Sequence, residues 1–304
     1  MKPLVSVICI SYNHAPYIKE ALSSLFAQTY TDIEIILMDD ASTDDSQAIL
    51  EQQAQREDVK IILHKTNQGY TKTFNEGLKE STGEYIIDFS LDDIMKPNFI
   101  ETSLSAFKSE SIGVVFSNAD YVDNKTHFIV NHTEQLLRKG MISAVPQGDV
   151  FAAILRRYFI CTPTMMIKRE VFDRLGGYDE NLAYEDFDFW VRSSRFWSYQ
   201  YIDKVLFKKR KLKDSLSANR YLHHYNEQME SIYKVCVKAF HLCKTKDEFE
   251  ALIERINYEY RQCIRYNAES LAEKHARLLS TLNASLSVKS RLFRWYQRKF
   301  RVLR

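Results

Sequence analysis

The amino-acid sequence predicts an α/β protein with a doubly wound, mostly parallel sheet flanked by helices, followed by a helical C-terminal extension. Two observations lead to this fold class. Short apolar segments alternate with amphipathic segments over residues 1–116, as parallel strands do when right-handed helical crossovers connect them. From Tyr221 onward the chain contains neither glycine nor proline, which favours long helices.

The first 116 residues supply five predicted strands and the helices between them. Residues 4–10 form an apolar strand, and residues 18–26 repeat apolar side chains at helical spacing. Ser42 and Asp45 predict a capping box for a helix that ends near Arg56. The remaining predicted elements are strands at residues 33–38, 59–63, 85–89 and 112–116, a helix at 71–80 and a helix that starts at Pro97.

The predicted domain division falls at residue 218. Residues 1–218 form the first domain, in which residues 1–116 are the regular α/β half. Residues 117–218 follow a looser pattern, with a strand-like segment at 164–167 and a turn at the adjacent glycines 176 and 177. Residues 219–304 form the helical extension.

Composition excludes several classes of protein. The 304 residues are 45% hydrophobic and 27% charged, with a net charge of +2, which argues against a disordered chain and against a nucleic-acid partner. Residues 1–110 carry a net charge of −9 and the remainder +11, so the two parts are expected to differ in role. The five cysteines never form a C-x-x-C pair, which favours free thiols in the cytosol. Neither a secretory signal nor an apolar stretch of about 18 residues is present.

Polar side chains follow three of the predicted strands at the sheet edge where ligands bind in open α/β folds. Each cluster alone is typical of a helix cap or a solvated turn, but three at neighbouring strand ends indicate a binding crevice. The dinucleotide fingerprint and the P-loop motif are both absent from the sequence. The clusters are Ser11, Tyr12 and Asn13 after the first strand, Asp39 and Asp40 after the second, and Ser90, Asp92 and Asp93 after the fourth.

These side chains suit two kinds of ligand. Carboxylates without nearby Cys or His favour a hard cation such as Mn²⁺ or Mg²⁺, which could stabilise a diphosphate leaving group. Asp39 or Asp40 could instead accept hydrogen bonds from a base or a ribose. Tyr12 could stack on a base, and packing of Tyr12 at the strand end is an equally weighted alternative.

Four sequence segments occur in an order that one known family shares. They are VSVICISYNHAPYIKEALSSLFAQTYTDIEIILMDDASTDDS at 5–46, NQG at 67–69, GEYIIDFSLDDIMKP at 83–97, and GGYDENLAYEDFDFWVR at 176–192. This ordered set, which covers about two thirds of the chain, resembles the family 2 glycosyltransferases, which have the GT-A fold. The resemblance implies a nucleotide-sugar-binding half at 1–116 and an acceptor-side half at 117–218.

The resemblance also implies roles for individual residues in donor binding. Asp40 would hold the uracil or other base, with Tyr12 stacking on it and Asp39 in support. Asp92 would contact the ribose or the metal, and Asp93 would ligate Mn²⁺ or Mg²⁺. The other implied nucleotide-sugar-binding residues are Ser11, Asn67 and Lys72.

Asp186 would be the catalytic base of an inverting transfer, in which an acceptor hydroxyl attacks the anomeric carbon opposite the diphosphate. The aromatic residues around it are expected to pack in the core for the most part, and one of them could form a platform for a sugar ring. They are Tyr184, Phe187, Phe189 and Trp190.

Two positions depart from the family pattern. Its D-x-D motif is S-L-D at residues 90–92, and Leu212 stands where a late metal-binding His is usual. His223 and His224 are nearby candidates for that ligand, although histidines on a helix surface are the more common reading. Residues 208–211 could contact the diphosphate, but a run of basic residues usually forms a solvated face.

The C-terminal residues 290–304 predict a basic amphipathic helix. On a helical wheel Leu292, Tyr296, Phe300 and Leu303 share one side, and most arginines point away from it. Such a helix can lie on an anionic membrane surface. Docking on its own domain, or on a second subunit in a homodimer, is an equally weighted alternative.

The implied function is transfer of a sugar from a nucleotide diphosphate donor, preferably a UDP-sugar, to a glycan or lipid-linked glycan acceptor. Inversion and cell-surface polysaccharide synthesis in the cytoplasm, at the inner face of the plasma membrane, follow from the same resemblance. A nucleotidyltransferase is disfavoured because no Gly-rich basic loop follows the first strand. A non-catalytic nucleotide-sugar-binding or scaffold protein is the remaining alternative, which Ser90 and Leu212 favour and Asp93 and Asp186 oppose.

Overall fold

A computed structural model describes residues 2–53, 56, 58–212 and 225–301. These residues form two compact units. The sheet unit contains residues 2–149, 159–180 and 197–212, and the helical unit contains residues 150–158, 181–196 and 225–301. The helical unit thus combines the C-terminal helices with two short segments from earlier in the chain. The division of the chain into two domains at residue 218 stays a prediction.

The sheet unit contains one mixed sheet of nine strands. Its strands are β1 (Val5–Ser11), β2 (Ile33–Asp39), β3 (Val59–Leu63), β4 (Tyr85–Ser90), β5 (Ile94–Met95), β6 (Ile112–Val122), β7 (Phe128–Asn131), β8 (Met166–Lys168) and β9 (Ser198–Arg210). They lie in the order β3-β2-β1-β4-β8-β6-β9-β5, and β7 pairs with β6. The first four strands are parallel, and six of the nine run in one direction. The predicted α/β class with a mostly parallel sheet is confirmed, although the short antiparallel strand β8 separates β4 from β6.

Twelve α-helices accompany the strands in the described part of the chain. Those of the sheet unit are α1 (Ala15–Phe26), α2 (Ser46–Glu51), α3 (Tyr70–Glu80), α4 (Phe99–Leu104), α5 (His132–Arg138) and α7 (Arg169–Leu175). Those of the helical unit are α6 (Phe151–Arg156), α8 (Glu185–Ser193), α9 (Tyr225–Leu242), α10 (Lys246–Arg265), α11 (Glu269–Thr281) and α12 (Val288–Arg301). The predicted helical C-terminal extension is therefore confirmed. Among the described residues, no helix combines the length and the apolar character that crossing a bilayer requires, and all five cysteines are free.

The capping box predicted at Ser42 does not form. The backbone N–H and the hydroxyl of Ser42 both donate to the carboxylate of Asp39, at 2.8 and 2.6 Å. Helix α2 begins only at Ser46, whose backbone N–H donates to Asp44, and the Asp45 side chain makes no capping hydrogen bond. The prediction was wrong because a buried carboxylate at the end of β2 takes the hydroxyl that a local cap would use.

Helix α4 starts later than predicted. It begins at Phe99, two residues beyond Pro97, with Asn98 as its N-cap. The Pro97 carbonyl accepts a hydrogen bond from the backbone N–H of Thr29 at 2.8 Å. This bond links the residues that follow α1 to the segment before α4, and Pro97 lies outside the helix.

Helices pack so tightly on the parallel strands that one helix position excludes a side chain. Every residue of β1 is buried, and helix α3 crosses β1 and β2 at Gly77. A Cβ atom on Gly77 would lie 2.6 Å from Cγ2 of Ile8 and 2.6 Å from Sδ of Met38. The glycine therefore sets how closely α3 approaches the strands whose ends carry the polar clusters.

We expect Gly77→Ala to lower the free energy of unfolding by about 1–3 kcal/mol, because Ile8 and Met38 must move to admit a methyl group. Alanine is normally the better helix former, by about 1 kcal/mol, so the packing effect must reverse the usual sign. Urea unfolding followed by circular dichroism measures this change. The exposed Lys79→Ala on the same helix is the control, and an unchanged or higher stability of Gly77→Ala would contradict the close packing.

Candidate functional site

The predicted polar clusters lie at neighbouring ends of the parallel strands. Strand β1 pairs with β2 on one side and β4 on the other, with Ser11 opposite Asp39 and Ile10 opposite Ser90. The backbone N–H of Asp40 donates to the Ser11 carbonyl at 3.0 Å. The strand register thus brings the three clusters to one edge of the sheet.

The loops that follow β1 and β2 are joined to each other by side chains. Asp39 is buried and accepts hydrogen bonds from Ser42 and, at 2.9 Å, from the side-chain amide of Gln47. Asn13 donates its backbone N–H to the Ser42 hydroxyl at 2.8 Å, and its side-chain oxygen accepts from the Thr43 backbone N–H at 2.8 Å. Asp39 therefore shapes both loops, and the protein uses three of its roughly four acceptor positions.

Asp40 is the buried anchor of a third loop. Its Oδ1 accepts from the backbone N–H of Gln68 and its Oδ2 from that of Gly69, both at 2.8 Å. The Asn67 side chain donates to the Asp40 carbonyl at 3.1 Å. The turn needs a glycine, since Gly69 has φ +89°. The Nδ1 atom of His64 lies 2.9 Å from Oδ1, so the carboxylate uses three of its roughly four acceptor positions. One position remains for a ligand.

His64 was not predicted as a site residue from the sequence. It follows strand β3 directly, and its two ring nitrogens lie 2.9 Å from Asp40 and 3.0 Å from Glu76. Burial alone would lower the pKa of His64, but the hydrogen bonds to Asp40 and then to Glu76 outweigh it, and the pKa is raised. Only the protonated ring can donate to both carboxylates at once, and the raised pKa favours that form. The strand-end argument applied to β3 would have found this residue.

The acidic pair after β4 is held differently. The Ser90 hydroxyl donates to Asp92 at 2.6 Å. Asp93 is buried, and its Oδ1 accepts the backbone N–H of Arg210 at 2.7 Å. Burial, and after it the negative charge of Asp92, hold the pKa of Asp93 well above its ordinary value. A nearby cation would favour the ionised form of Asp93.

Arg210 is the second residue whose position the sequence did not indicate. Its side chain is buried, and the guanidinium donates to the Asp92 carbonyl at 2.8 Å, to Glu20 at 2.7 Å and to the Asp123 carbonyl at 3.0 Å. It also lies over the Tyr17 ring, 4.6 Å from its centroid. The reading of residues 208–211 as a solvated face was wrong for Arg210, because these acceptors and the aromatic ring make its burial favourable.

The other predicted donor-binding residues lie at the same edge with different exposure. The Ser11 side chain is buried, and no hydrogen-bond partner for its hydroxyl is found in the part of the chain that the structure describes. Tyr12 is 46% exposed, so it is not packed in the core. Asn67 and Lys72 are exposed, with Lys72 in the first turn of α3.

Asp186 lies in the helical unit, in the first turn of α8, and is half-buried. Two residues further on, Asp188 is completely buried and forms ion pairs with Arg192 at 2.6 Å and with Lys238 of α9 at 2.7 Å. Asp188 therefore has a structural role in joining α8 to α9. The surrounding aromatic residues are buried, as expected for core packing; they are Tyr184, Phe187, Phe189 and Trp190.

A preformed set of three metal ligands is absent. Over the described residues, no three His, Cys, Asp or Glu side chains lie together in a way that could hold a metal ion. Asp92 and Asp93 are the two candidates at the sheet edge, and Leu212 is half-buried where the family pattern has a His. His223 and His224 lie outside the described residues.

Comparisons with known proteins identify similar sequences and folds. Residues 6–176 match the family described as Glycosyl transferase family 2. An uncharacterized glycosyltransferase of Rickettsia typhi is 30% identical over 230 residues, which are 74% of this chain and 69% of that protein.

Two solved structures share the fold. S. aureus TarS 1–349 in complex with UDP-GlcNAc has a TM-score of 0.70 and 16% identity, over 95% of this chain and 83% of that one. The mannosyltransferase PcManGT from Pyrobaculum calidifontis, in complex with GDP-Man and Mn²⁺, has a TM-score of 0.65 and 17% identity, over 99% and 81% of the two chains. These likenesses confirm the expected GT-A-like fold.

The raised pKa of His64 makes part of the stability depend on pH. The protonated ring between Asp40 and Glu76 favours the folded state fully below the pKa of an unfolded His, about 6.5. That contribution is lost as the pH rises through the higher pKa of the folded state. We therefore expect the stability difference between the wild type and His64→Gln to be larger at pH 6 than at pH 9, as measured by urea unfolding at each pH.

The exposed His127, which pairs with Asp123, provides a matched control. His127→Gln should change stability little at either pH, because exposed ion pairs contribute about 0–1 kcal/mol. A stability difference for His64→Gln that stays constant across this range would show that the ring is neutral between its two carboxylates.

Proposed function

The chain belongs to the family 2 glycosyltransferases, and on that premise we propose that it transfers a sugar from a UDP-sugar to a glycan or lipid-linked glycan acceptor. The observation that carries this proposal is the cluster at the ends of β1, β2 and β4, where Asp40 holds the 67–69 turn at the same sheet edge as the Asp92–Asp93 pair. The solved relatives with the same fold hold UDP-GlcNAc or GDP-Man, which supports a nucleotide diphosphate donor.

In this proposal the nucleotide binds at the edge shaped by Asp39 and Asp40. The free acceptor position on Asp40 takes an N–H of the base, and its rigid hydrogen-bonded setting fixes where that acceptor points. The half-exposed Tyr12 stacks on the base. The buried Ser11 hydroxyl, which has no hydrogen-bond partner among the described residues, supplies a further polar contact, and Asn67 and Lys72 complete the donor site.

Mn²⁺ or Mg²⁺ fits the Asp92–Asp93 pair. A hard cation commonly takes one or two carboxylates from the protein and fills its other positions with phosphate oxygens and water, so the absence of a third ligand among the described residues agrees with binding together with the donor. When bound, such an ion neutralises charge on the diphosphate leaving group. Arg210 contributes by holding Asp93 and the backbone of Asp92 in place.

Asp186 is the proposed catalytic base. It accepts the proton of the acceptor hydroxyl while that oxygen forms a bond to the anomeric carbon. The bond from the anomeric carbon to the diphosphate oxygen breaks on the opposite face, its electron pair leaves with the nucleoside diphosphate, and the configuration inverts. The role suits a half-buried carboxylate better than the fully paired Asp188.

A non-catalytic nucleotide-sugar-binding protein of the same fold is the alternative. It is favoured by Ser90, which stands in place of the first carboxylate of the D-x-D motif and whose hydroxyl donates a hydrogen bond to Asp92. It is opposed by the retention of Asp93 and Asp186. We further propose that the enzyme works in the cytoplasm on cell-surface polysaccharide, a compartment that suits its five free thiols.

A donor screen tests the proposed activity. The full chain is incubated with a panel of UDP-, GDP- and TDP-sugars and Mn²⁺, and the released nucleoside diphosphate is measured with and without candidate acceptors. We expect acceptor-dependent release from a UDP-sugar. Tight binding of UDP-sugars without release or transfer under any condition would favour the non-catalytic alternative.

Asp186→Asn and Asp188→Asn form a matched pair that separates chemistry from folding. We expect Asp186→Asn to reduce kcat by about 100-fold or more, with a smaller effect on the melting temperature than Asp188→Asn. Asp188→Asn should instead destabilise the protein by about 3 kcal/mol, because it removes a buried carboxylate that pairs with two partly buried cations. Full activity of Asp186→Asn would mean that another group is the base.

The metal assignment predicts that UDP binding depends on both the ion and Asp93. Titration calorimetry should show UDP binding at least tenfold tighter with Mn²⁺ than with EDTA, and Asp93→Asn should abolish that difference. Asp32→Asn, an exposed residue beside the opposite end of β2, is the control and should behave as the wild type. Equal affinity with and without Mn²⁺ in the wild type would rule out the metal role.

A further inference from the structure

Helix α12 is attached to the helical unit by one face only. Ser290 is buried, accepts a hydrogen bond from Arg261 at 2.9 Å and donates to the side-chain oxygen of Asn257 at 2.9 Å. Phe293 packs against a core cluster of the helical unit, and the Arg265 guanidinium lies 5.7 Å from the centroid of its ring. The docking of α12 on its own unit therefore uses Ser290 and Phe293.

The opposite face of α12 carries large hydrophobic side chains. We define the outer stripe as Val288, Leu292, Trp295 and Tyr296, whose exposed fractions are 62%, 61%, 57% and 53%. At about 100° per residue these positions fall within one third of the helix surface, with Ser290 on the opposite side and Phe293 about 60° beyond Tyr296. A surface helix normally buries its apolar side and exposes its polar side, so α12 has the reverse orientation. Several exposed apolar side chains on one face of a helix favour a binding surface.

The positive charge of the C-terminal segment favours a partner with a negative charge. Residues 282–304 contain seven Lys and Arg and no Asp or Glu. Lys289 and Arg291 are exposed on the two sides of the outer stripe, and the Lys299 ammonium lies 5.0 Å from the centroid of the Trp295 ring. Any surface that covers the outer stripe meets this positive charge.

We propose that the outer stripe of α12 binds an anionic lipid surface. Trp and Tyr favour the boundary between lipid headgroups and acyl chains, and flanking Lys and Arg are attracted to anionic headgroups. A second copy of α12 is a poorer partner, because antiparallel or parallel pairing would bring two acid-free basic segments together. Docking on the helical unit and binding to a membrane were alternatives at the level of sequence, but they use different faces of α12 and are compatible.

This binding deepens the proposed function, since a lipid-linked acceptor lies at such a surface, but it does not require sugar transfer. The outer stripe would hold the enzyme at the surface that carries its acceptor and so raise the acceptor's effective concentration. Weakened lipid binding is therefore expected to raise KM for a lipid-linked acceptor and to leave transfer to a water-soluble acceptor unchanged.

Vesicle binding of the full chain, without donor or acceptor, tests the proposal. Flotation is measured with phosphatidylcholine vesicles alone and with vesicles that also contain phosphatidylglycerol. We expect at least tenfold tighter binding to the anionic vesicles, weakened by added salt, and a blue shift of tryptophan emission that Trp295→Phe removes while most of the binding is retained.

Matched variants locate the binding surface. Leu292→Ser with Trp295→Ser, and separately Lys289→Glu with Arg291→Glu, should each reduce binding at least tenfold without lowering the melting temperature. Phe128→Ser, an exposed aromatic on strand β7, and Lys79→Glu on α3 should bind as the wild type. Because these substitutions lie on exposed positions, loss of folding is not expected to obscure the result.

Three results would overturn the proposal. They are equal binding to neutral and anionic vesicles, unchanged binding by both α12 variants, and a dimer in sedimentation velocity that the Leu292 and Trp295 changes dissociate while the wild type binds no vesicles. The last result would assign the outer stripe to a second subunit. A chain that binds anionic vesicles but transfers no sugar would refute the proposed function and leave the lipid-binding surface intact.

Discussion

The buried carboxylate of Asp40 is the interaction on which the candidate site depends. It lies where β2 ends, accepts two backbone N–H groups of the turn that leads into α3, and contacts the His64 ring that follows β3. A buried carboxylate is costly unless such donors surround it, so the three chain segments must adopt this arrangement together. The edge of the sheet is thereby preorganised before a ligand arrives.

The second acidic group relies on a residue far away in sequence. Asp93 is held by the backbone of Arg210, whose guanidinium also reaches the Asp92 carbonyl, Glu20 and Asp123. Strand β9 thus connects the end of β4 to helix α1 and to the loop after β6. Burial and the negative charge of Asp92 hold the pKa of Asp93 well above its ordinary value, so a cation placed beside Asp93 would favour its ionised form.

In the helical unit, neighbouring residues of one sequence segment have different roles. Asp188 pairs with Arg192 and with Lys238 and so holds α8 against α9. One of the two aspartates in the EDFD segment is therefore structural. Helix α12 docks through Ser290 and Phe293 and leaves its hydrophobic stripe outside. A helical wheel could identify the amphipathic character of this segment, but the direction in which it faces depends on the packing partner.

The sequence by itself determined the parallel strands β1 to β4, the helices that cover them, the helical C-terminus and the acidic residues at the strand ends, because periodicity and strand-end position are local properties. Only the tertiary structure decided that Ser42 donates a hydrogen bond to Asp39 instead of capping α2. It also decided that His64 contacts Asp40 and that Arg210 is buried beside Asp93. His64 and Arg210 have partners that are distant in the chain, whereas Ser42 turns to Asp39, three residues earlier, because that carboxylate is buried at the strand end. Such contacts are specified by the folded arrangement of buried donors and acceptors, and no local pattern records them.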